Sequence, residues 1–435
     1  MPCEYQSRRQ YLNADKGSNS KEHGIHHASR ICQFKDVKEE ELFEFDGRKW
    51  CQFHLPIKNK EGLKSEKYKW DVGTIAKFNE KILGYINNTG QAFWPKNIID
   101  LQGVVFPGDF KLVNKRIKLN INFSESYFYK SALFRGLDVN GCVNFERVRC
   151  LDGMRFEACT FRDINFANSV LPQFHFTNNV ATGKADFHSV YFLGYVSFID
   201  TKFAGTANYS ISRFGGDVEF DSYNGATFKR LICTGSIFDK SVSFLNREFT
   251  GTTNFSGCEF KYAPKFHNCN FHEDTSFRQA IFHDIREPDA PTAYRTLKLA
   301  MEKVRARIEH ARFYALEQKS IRNQYDTPRW VKLSSALYDL ISDYGQSAIR
   351  PMAWLAGSIL LFFVFYYSAL LSETNAVALS IKLSIEQVVR PFFIWSKDLS
   401  EASIGLRLLA TAQSILSITF ITLFILAIRW RFTKG

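Results

Sequence analysis

Residues 187–214 read FHSVYFLGYVSFIDTKFAGTANYSISRF. Phe187, Phe198 and Tyr209 stand eleven residues apart, and Phe192, Phe203 and Phe214 form a second series five residues behind the first. The steps therefore alternate five and six. A helix against a core buries every third or fourth residue, and a half-buried strand every second, so neither period fits. Small or apolar side chains stand two residues before most of the rings, at Ala185, Val190, Val196 and Ala207. Two inward positions in every five or six residues suit a solenoid, whose chain turns a corner every few residues. The polar and Gly-containing residues between them read as exposed edges and tight turns.

The pattern extends in both directions. Phe123, Phe134, Phe145 and Phe156 precede it, with Phe128, Val139, Cys150 and Phe161 as their second series. Phe244, Phe255, Phe266 and Phe277 follow it, with Phe249, Phe260, Phe271 and Phe282. The expected solenoid core therefore includes Phe145, Phe156, Phe187, Phe198, Phe203, Phe244, Phe255, Phe260, Phe266, Phe271 and Phe277. Phe156 to Phe176 is twenty residues and Phe220 to Phe244 is twenty-four. These intervals predict one shortened coil and one bulged coil, the second around Tyr223–Phe228.

This ladder resembles the pentapeptide-repeat proteins, with their central Phe or Leu and a small residue two before it. The resemblance covers about 160 residues and implies a right-handed quadrilateral β-helix. Two eleven-residue units would form each coil, and coils spaced by about 4.8 Å would make a rod roughly 35 Å long. The fold class expected is a mainly β solenoid followed by an α-helical linker and two transmembrane helices.

At 435 residues the chain has room for several domains. We divide it into an N-terminal leader and cap (1–110), the repeat β-helix (111–285), amphipathic connecting helices (290–345) and a C-terminal hairpin (350–430). The nine cysteines need no disulfides, since most ladder cysteines fall at inward positions and pack as small apolar residues; a reduced cytoplasmic setting follows. Residues 1–30 are polar and charged, without a signal peptide. The net charge of +12 is unevenly spread: residues 121–285 hold sixteen basic and seventeen acidic side chains, residues 286–350 twelve and eight.

The first 50 residues contain Cys3, Cys32, His23, His26 and His27 in a polar stretch. Cys51 and His54 are close enough to ligate one metal, zinc being the expected ion, with Cys3 or Cys32 as further ligands. The spacing is half a zinc signature, and a buried thiol beside a hydrogen-bonded histidine is the plain alternative. No other cofactor is expected. Residues 70–87 read as a helix with Trp70, Ile75, Phe78 and Ile82 on one face, capping a first coil that would otherwise expose apolar surface. Cys51-Gln52-Phe53-His54, this helix and Gly103–Gly108 also resemble the leader of a membrane-linked subgroup of pentapeptide-repeat proteins.

After Pro288 and Pro291 the period changes. Tyr294, Leu297, Met301, Val304, Ile308, Ala311 and Ala315 predict one helix, its stripe capping the last coil or meeting a second chain. Trp330, Leu333, Leu337, Leu340 and Tyr344 predict a helix lying in a membrane interface, ended at Tyr344-Gly345. Met352–Ser372 and Leu408–Ile428 carry no charge, and each is long enough to cross about 30 Å of hydrocarbon. Arg350, Arg429, Arg431 and Lys434 flank them, while Glu373–Arg407 holds four basic and four acidic residues. The positive-inside rule puts both termini and the β-helix in the cytoplasm, on a bacterial-type inner membrane. Residues 376–394 read as a re-entrant segment between the spans. The hairpin resembles a two-helix cation channel. A potassium filter, however, is built of Gly-containing carbonyl loops, and residues 390–397 contain no glycine.

We find no phosphate loop, nucleophile elbow or His-Glu-x-x-His motif, so no catalytic residues and no enzyme activity are expected. Three functions were weighed. The first is a membrane-anchored scaffold whose β-helix binds a protein partner, with a homo-oligomer expected. The second is an oligomeric channel-like effector gated by the β-helix. The third, ranked last, is a DNA-mimicking topoisomerase modulator. That would need a strongly acidic rod, and this near-neutral one implies no nucleic-acid partner.

Overall fold

Four columns of buried side chains run through residues 98–282. The computed structural model describes residues 3–5, 32–34, 37–88, 98–371, 373–390 and 403–432. The chain divides into two compact units, 1–309 and 310–435, each described by itself.

In the first unit, parallel strands of two to seven residues stack into sheets of twelve, nine and seven strands, a β-solenoid of about eight turns. The longer strands at Asp138–Asn144, Thr160–Asn165, Lys202–Asn208 and Thr227–Ile232 carry the twelve-stranded sheet around a corner, so three sheets make four sides. One column runs Phe123, Phe145, Phe166, Phe187, Tyr209, with ring centroids 4.9, 4.8, 5.4 and 4.9 Å apart and planes within 5°. A second includes Phe198, Phe220, Phe244 and Phe266 at 4.9, 4.6 and 4.6 Å. Phe192, Phe214, Phe238 and Phe260 belong to the third, and Phe203, Phe228, Phe249 and Phe271 to the fourth. Ring spacing follows strand spacing, about 4.8 Å. Between columns the rings meet edge to face, as Phe187 and Phe198 do at 5.3 Å and 80°. All the expected core rings are buried except Phe271, which is half-buried near the C-terminal end.

Both irregular coils lie where the intervals place them. Phe156 pairs with Phe176 twenty residues on, and Val218 with Val242 twenty-four on. The shortened coil is made of two ten-residue steps, and Phe166, which falls off the eleven-residue spacing, completes the first column. In the long coil the extra residues loop out at 223–226, where the Asp200 carboxylate accepts the backbone N–H groups of Tyr223 and Asn224 at 2.7 and 2.9 Å. The space inside is filled by Arg247, fully buried. Its guanidinium donates to the carbonyls of Thr201, Ala226 and Phe198 at 2.7, 3.1 and 2.8 Å, and to that of Phe220, and lies over the Phe228 ring.

A polar ladder lines one corner. Asp100, Asn122, Asn144 and Asn165 hydrogen-bond coil to coil at 2.9, 3.2 and 3.0 Å, and each also accepts the N–H two residues ahead of it. Asp186 and Asn208 repeat the contact at 2.9 Å. Tyr209 is less well served: among the described residues its hydroxyl is buried in the core without a hydrogen-bond partner. Leaving a buried hydroxyl unpaired costs about 1–3 kcal/mol. Tyr209→Phe is therefore expected to raise the thermal midpoint of the detergent-extracted protein; a lower midpoint would mean the hydroxyl is bonded.

The solenoid starts earlier than the boundary at 111. Ile98–Asp100 and Val105–Phe106 already pair with Asn120–Asn122 and Tyr127–Phe128. Three of the four ring positions of this first coil are aliphatic, Leu101, Leu112 and Ile117, and only Phe106 carries a ring, so its Phe signal is weak. The helix α1 (Val72–Asn88), whose first turn is capped by the Asp71 carboxylate, packs Phe78 edge-on to Phe106. At the other end, α2 (Ala290–Lys303) buries Ala293, Tyr294, Leu297 and Met301, and the Tyr294 ring meets Phe282. The apolar stripe thus caps the last coil through α2. It is not one helix, however. Arg305 takes φ 58°, Arg305 N–H donates to Glu302 O, and Ala306 N–H to Met301 O, a Schellman stop that begins α3 (Arg307–Asn323) afresh. Ile308, expected on the stripe, is exposed.

The second unit holds α4 (Arg329–Ser342), α5 (Ile349–Ala369), α6 (Ala376–Val389) and α7 (Ile404–Phe432). Left-handed residues Asp343, Tyr344 and Gly345 end α4 as expected. Lys319, Arg322 and Arg350 converge on Asp339 and Asp343 around this turn. Trp330, Leu333, Leu337 and Leu340 remain exposed along α4. Two helices, α5 and α7, are long and apolar enough to cross a membrane; Met352 lies in the first and Leu408 and Ile428 in the second, while Ser372 lies outside the described residues. So do residues 391–394 of the expected re-entrant segment and the region through 397; the rest of that segment is α6. It packs between α5 and α7 through Ser384 Oγ to Ile359 O (2.9 Å), Gln413 Nε2 to Ser384 O (2.9 Å) and Ser414 Oγ to Gln387 Oε1 (2.8 Å).

Candidate metal centre

Three short pieces of chain meet at the head of the first unit. Residues 51–55 form a single turn, in which His54 N–H and Leu55 N–H both donate to Cys51 O; it brings the Cys51 Sγ and His54 Nδ1 atoms to 3.4 Å. The preceding hairpin, Phe43–Phe45 with Arg48–Trp50, offers Lys49 O to Glu4 N–H, which sets Cys3 beside the turn. Cys51 N–H then donates to Cys3 Sγ at 3.2 Å. Phe34 stacks on Phe53 at 3.9 Å and Gln33 reaches Gln102 O, fixing Cys32 from the other side.

The result is a closed group. Cys3, Cys32, Cys51 and His54 each present one donor atom, all within 4.8 Å of one another. Cys32 Sγ lies 3.8 Å from Cys51 Sγ, and Cys3 Sγ 3.8 Å from His54 Nδ1. The four residues could hold a metal ion. Sequence reasoning pairs Cys51 with His54 and leaves Cys3 and Cys32 as alternatives; the structure brings in both. The histidines 23, 26 and 27 lie outside the described residues.

The solenoid orients the group. His54 Nε2 meets Gln102 O at 3.0 Å, and Gln102 sits in a turn of the first coil held by Asp100. That contact leaves Nδ1 facing the sulfurs. Tyr5 stacks on the imidazole at 4.0 Å and 8°. It fits because position 103 is glycine: φ there is +70°, and a Cβ would stand 2.1 Å from the Tyr5 ring.

The thiols and the imidazole act on one another's protonation. Hydrogen bonds from Cys32 and then Cys51 push the Cys3 thiol far below its usual range, and the reciprocal bonds push Cys32 far above it. Burial lowers His54, but its contacts with Cys3 and Cys51 outweigh this and raise it to about 9. Lys67 is wholly buried alongside. Its ammonium donates to Gln52 O and Phe53 O at 2.6 and 3.3 Å, and burial holds it well below its ordinary range while the Cys51 charge pulls it back up. Lys67, Tyr5 and Gln102 carry no recognisable sequence signal. The intervals between Cys3, Cys32 and Cys51 are irregular, so the group becomes visible only in the fold.

No family model matches the chain. A short stretch is similar to an uncharacterized protein of Methanocaldococcus jannaschii, 35% identical over 69 residues, which is 16% of this chain and 15% of that protein. Fold and helices together define a β-solenoid protein with C-terminal apolar helices, an architecture that fits a scaffold or membrane-associated repeat protein.

Proposed function

We propose that the protein is a membrane-anchored scaffold of the pentapeptide-repeat type. In this reading α5 and α7 span the bilayer, both termini and the solenoid lie in the cytoplasm, and the solenoid's faces bind a protein partner. One observation carries it. The helical trio α5–α6–α7 buries Ser384, Gln387, Gln413 and Ser414 beside an apolar cluster of Phe362, Tyr366, Leu383 and Ala410, while Leu360, Leu361, Val364, Phe365, Ile415 and Ile425 face outward. In water that arrangement wastes apolar surface; in lipid it is what helix packing by polar contacts requires. The exposed face of α4 adds an apolar strip suited to head-group depth. On the solenoid, Tyr191, Leu193 and Ile211 are exposed apolar side chains available to a protein partner. Self-association through the apolar helices belongs to the same reading.

Fractionation tests it. The full chain is expected to sediment with membranes and to resist alkaline extraction, and a chain stopped after Gly345 to become soluble. A full-length product found in the soluble fraction would sink the reading.

A second reading, an oligomeric conducting pore, has one observation in its favour. Among the described residues, Glu386 Oε2, Gln387 Nε2 and Ser417 Oγ are buried without a hydrogen-bond partner, as side chains lining a wet path would be. Tyr366, Ser384, Gln413 and Ser414, with Gln387 Oε1, bond to one another, which favours the structural role. Ohmic current from purified protein in a planar bilayer, lost in the truncated chain, would reverse the ranking.

A further inference from the structure

We propose that Cys3, Cys32, Cys51 and His54 bind one structural zinc ion, which pins the start of the chain to the head of the solenoid. The inference stands apart from the membrane reading and rests on other residues.

Three of the six donor–donor distances are close to those zinc imposes, and all lie within 4.8 Å. Bonds of about 2.3 Å to sulfur and about 2.0 Å to nitrogen at tetrahedral angles put sulfurs about 3.8 Å apart and sulfur about 3.5 Å from nitrogen. The observed separations are 3.8 Å for Cys32 and Cys51, and 3.4 and 3.8 Å from His54 Nδ1 to Cys51 and Cys3. A disulfide is a different object: its sulfurs lie about 2.05 Å apart.

The surroundings agree with an occupied site. A ligating imidazole ordinarily gives its other N–H to a carbonyl or carboxylate, as His54 Nε2 does to Gln102 O. The Cys51 N–H aimed at Cys3 Sγ stabilises a thiolate. Charge is the independent argument. Three thiolates, a neutral imidazole and a divalent ion sum to one negative charge. Lys67 is a buried ammonium whose hydrogen bonds reach two carbonyls, one of them on the residue following Cys51. Among the described residues no carboxylate forms an ion pair with it. Charge on so deeply buried an amine is costly; the Phe78 ring lies 4.6 Å from it, and an anionic metal cluster would offset the rest. All four donors come from the protein, leaving no open position, which marks a structural site. Its physical work is to join residues 3–5 and 32–34 to the cap, beside the ring contacts that Tyr5 and Phe34 make there.

The test uses the full chain purified in detergent. Elemental analysis is expected to find one zinc per chain, and cobalt(II) replacement to give the intense red-region bands and near-ultraviolet thiolate charge transfer of a tetrahedral sulfur site. Cys32→Ser should weaken that charge transfer. Lys67→Met should lower zinc affinity about 10- to 100-fold, the usual range for a residue outside the ligand set. In case these variants misfold, alkylation of wild type gives a second readout: Cys3, Cys32 and Cys51 should resist until a chelator is added. Wild type that takes up no stoichiometric zinc, iron in its place, a Cys32–Cys51 disulfide, or full zinc retention in the Cys51→Ser/His54→Ala double variant would each overturn the proposal.

Discussion

Arg247→Ala is expected to destabilise the solenoid by about 3–5 kcal/mol. The guanidinium serves four carbonyls from three successive pieces of chain, Phe198 and Thr201, Phe220, and Ala226. Removing it leaves those acceptors buried and opens a void beside Phe228. Lys would not rescue it, because one ammonium cannot fork to oxygens on several coils as a planar guanidinium does. Arg247→Lys should therefore recover only part of the loss. Thermal unfolding of the detergent-extracted full chain reads the size of the effect, and hydrogen exchange its place. Protection should fall first at 198–250. An unchanged midpoint would show that the long coil holds itself without the arginine.

Phe198→Ala should cost about 3–5 kcal/mol as well, for a different reason. Phe198 stacks on Phe220 and meets Phe187 and Tyr209 edge-on, so its loss opens a hole in two columns at once. Phe271→Ala, half-buried near the end of its column, removes the same ring and should cost much less. Denaturant unfolding of both variants decides the matter. Equal losses would mean that the interlocked columns contribute nothing beyond the burial of each ring.

These two residues mark what the sequence tells and what it hides. The columns were legible because Phe at a fixed spacing has one physical explanation, and the irregular intervals located the short and long coils. Phe166 escaped because a ten-residue step breaks the count. Arg247 escaped because it stands two before Phe249, in a place where a small apolar residue is the rule. Its cause is the loop at 223–226, a void that exists only in three dimensions. The first coil was hidden by aliphatic residues at the ring positions. The polar ladder, by contrast, was readable in retrospect: Asn122, Asn144, Asn165, Asp186 and Asn208 each directly precede a ring of the first column. The stop at Arg305 left no trace because a Schellman turn usually announces itself by glycine. Half of the thiol–imidazole group was legible from Cys51 and His54, since a turn joins them; Cys3 and Cys32 arrive through backbone pairing and ring stacking that no spacing encodes.

Apart from the short and long coils, each coil repeats the footprint of the one before it, as when Val105 and Phe106 sit under Tyr127 and Phe128 twenty-two residues later. Duplicating such a whole turn, say by copying 194–215 in tandem, would lengthen the stack while both ends keep their neighbours. An insert of half that length would exchange the first and second columns and set Asn beneath an edge that offers it no partner. Growth of this protein over evolutionary time is thus quantised: the ladder admits a full rung and rejects a half.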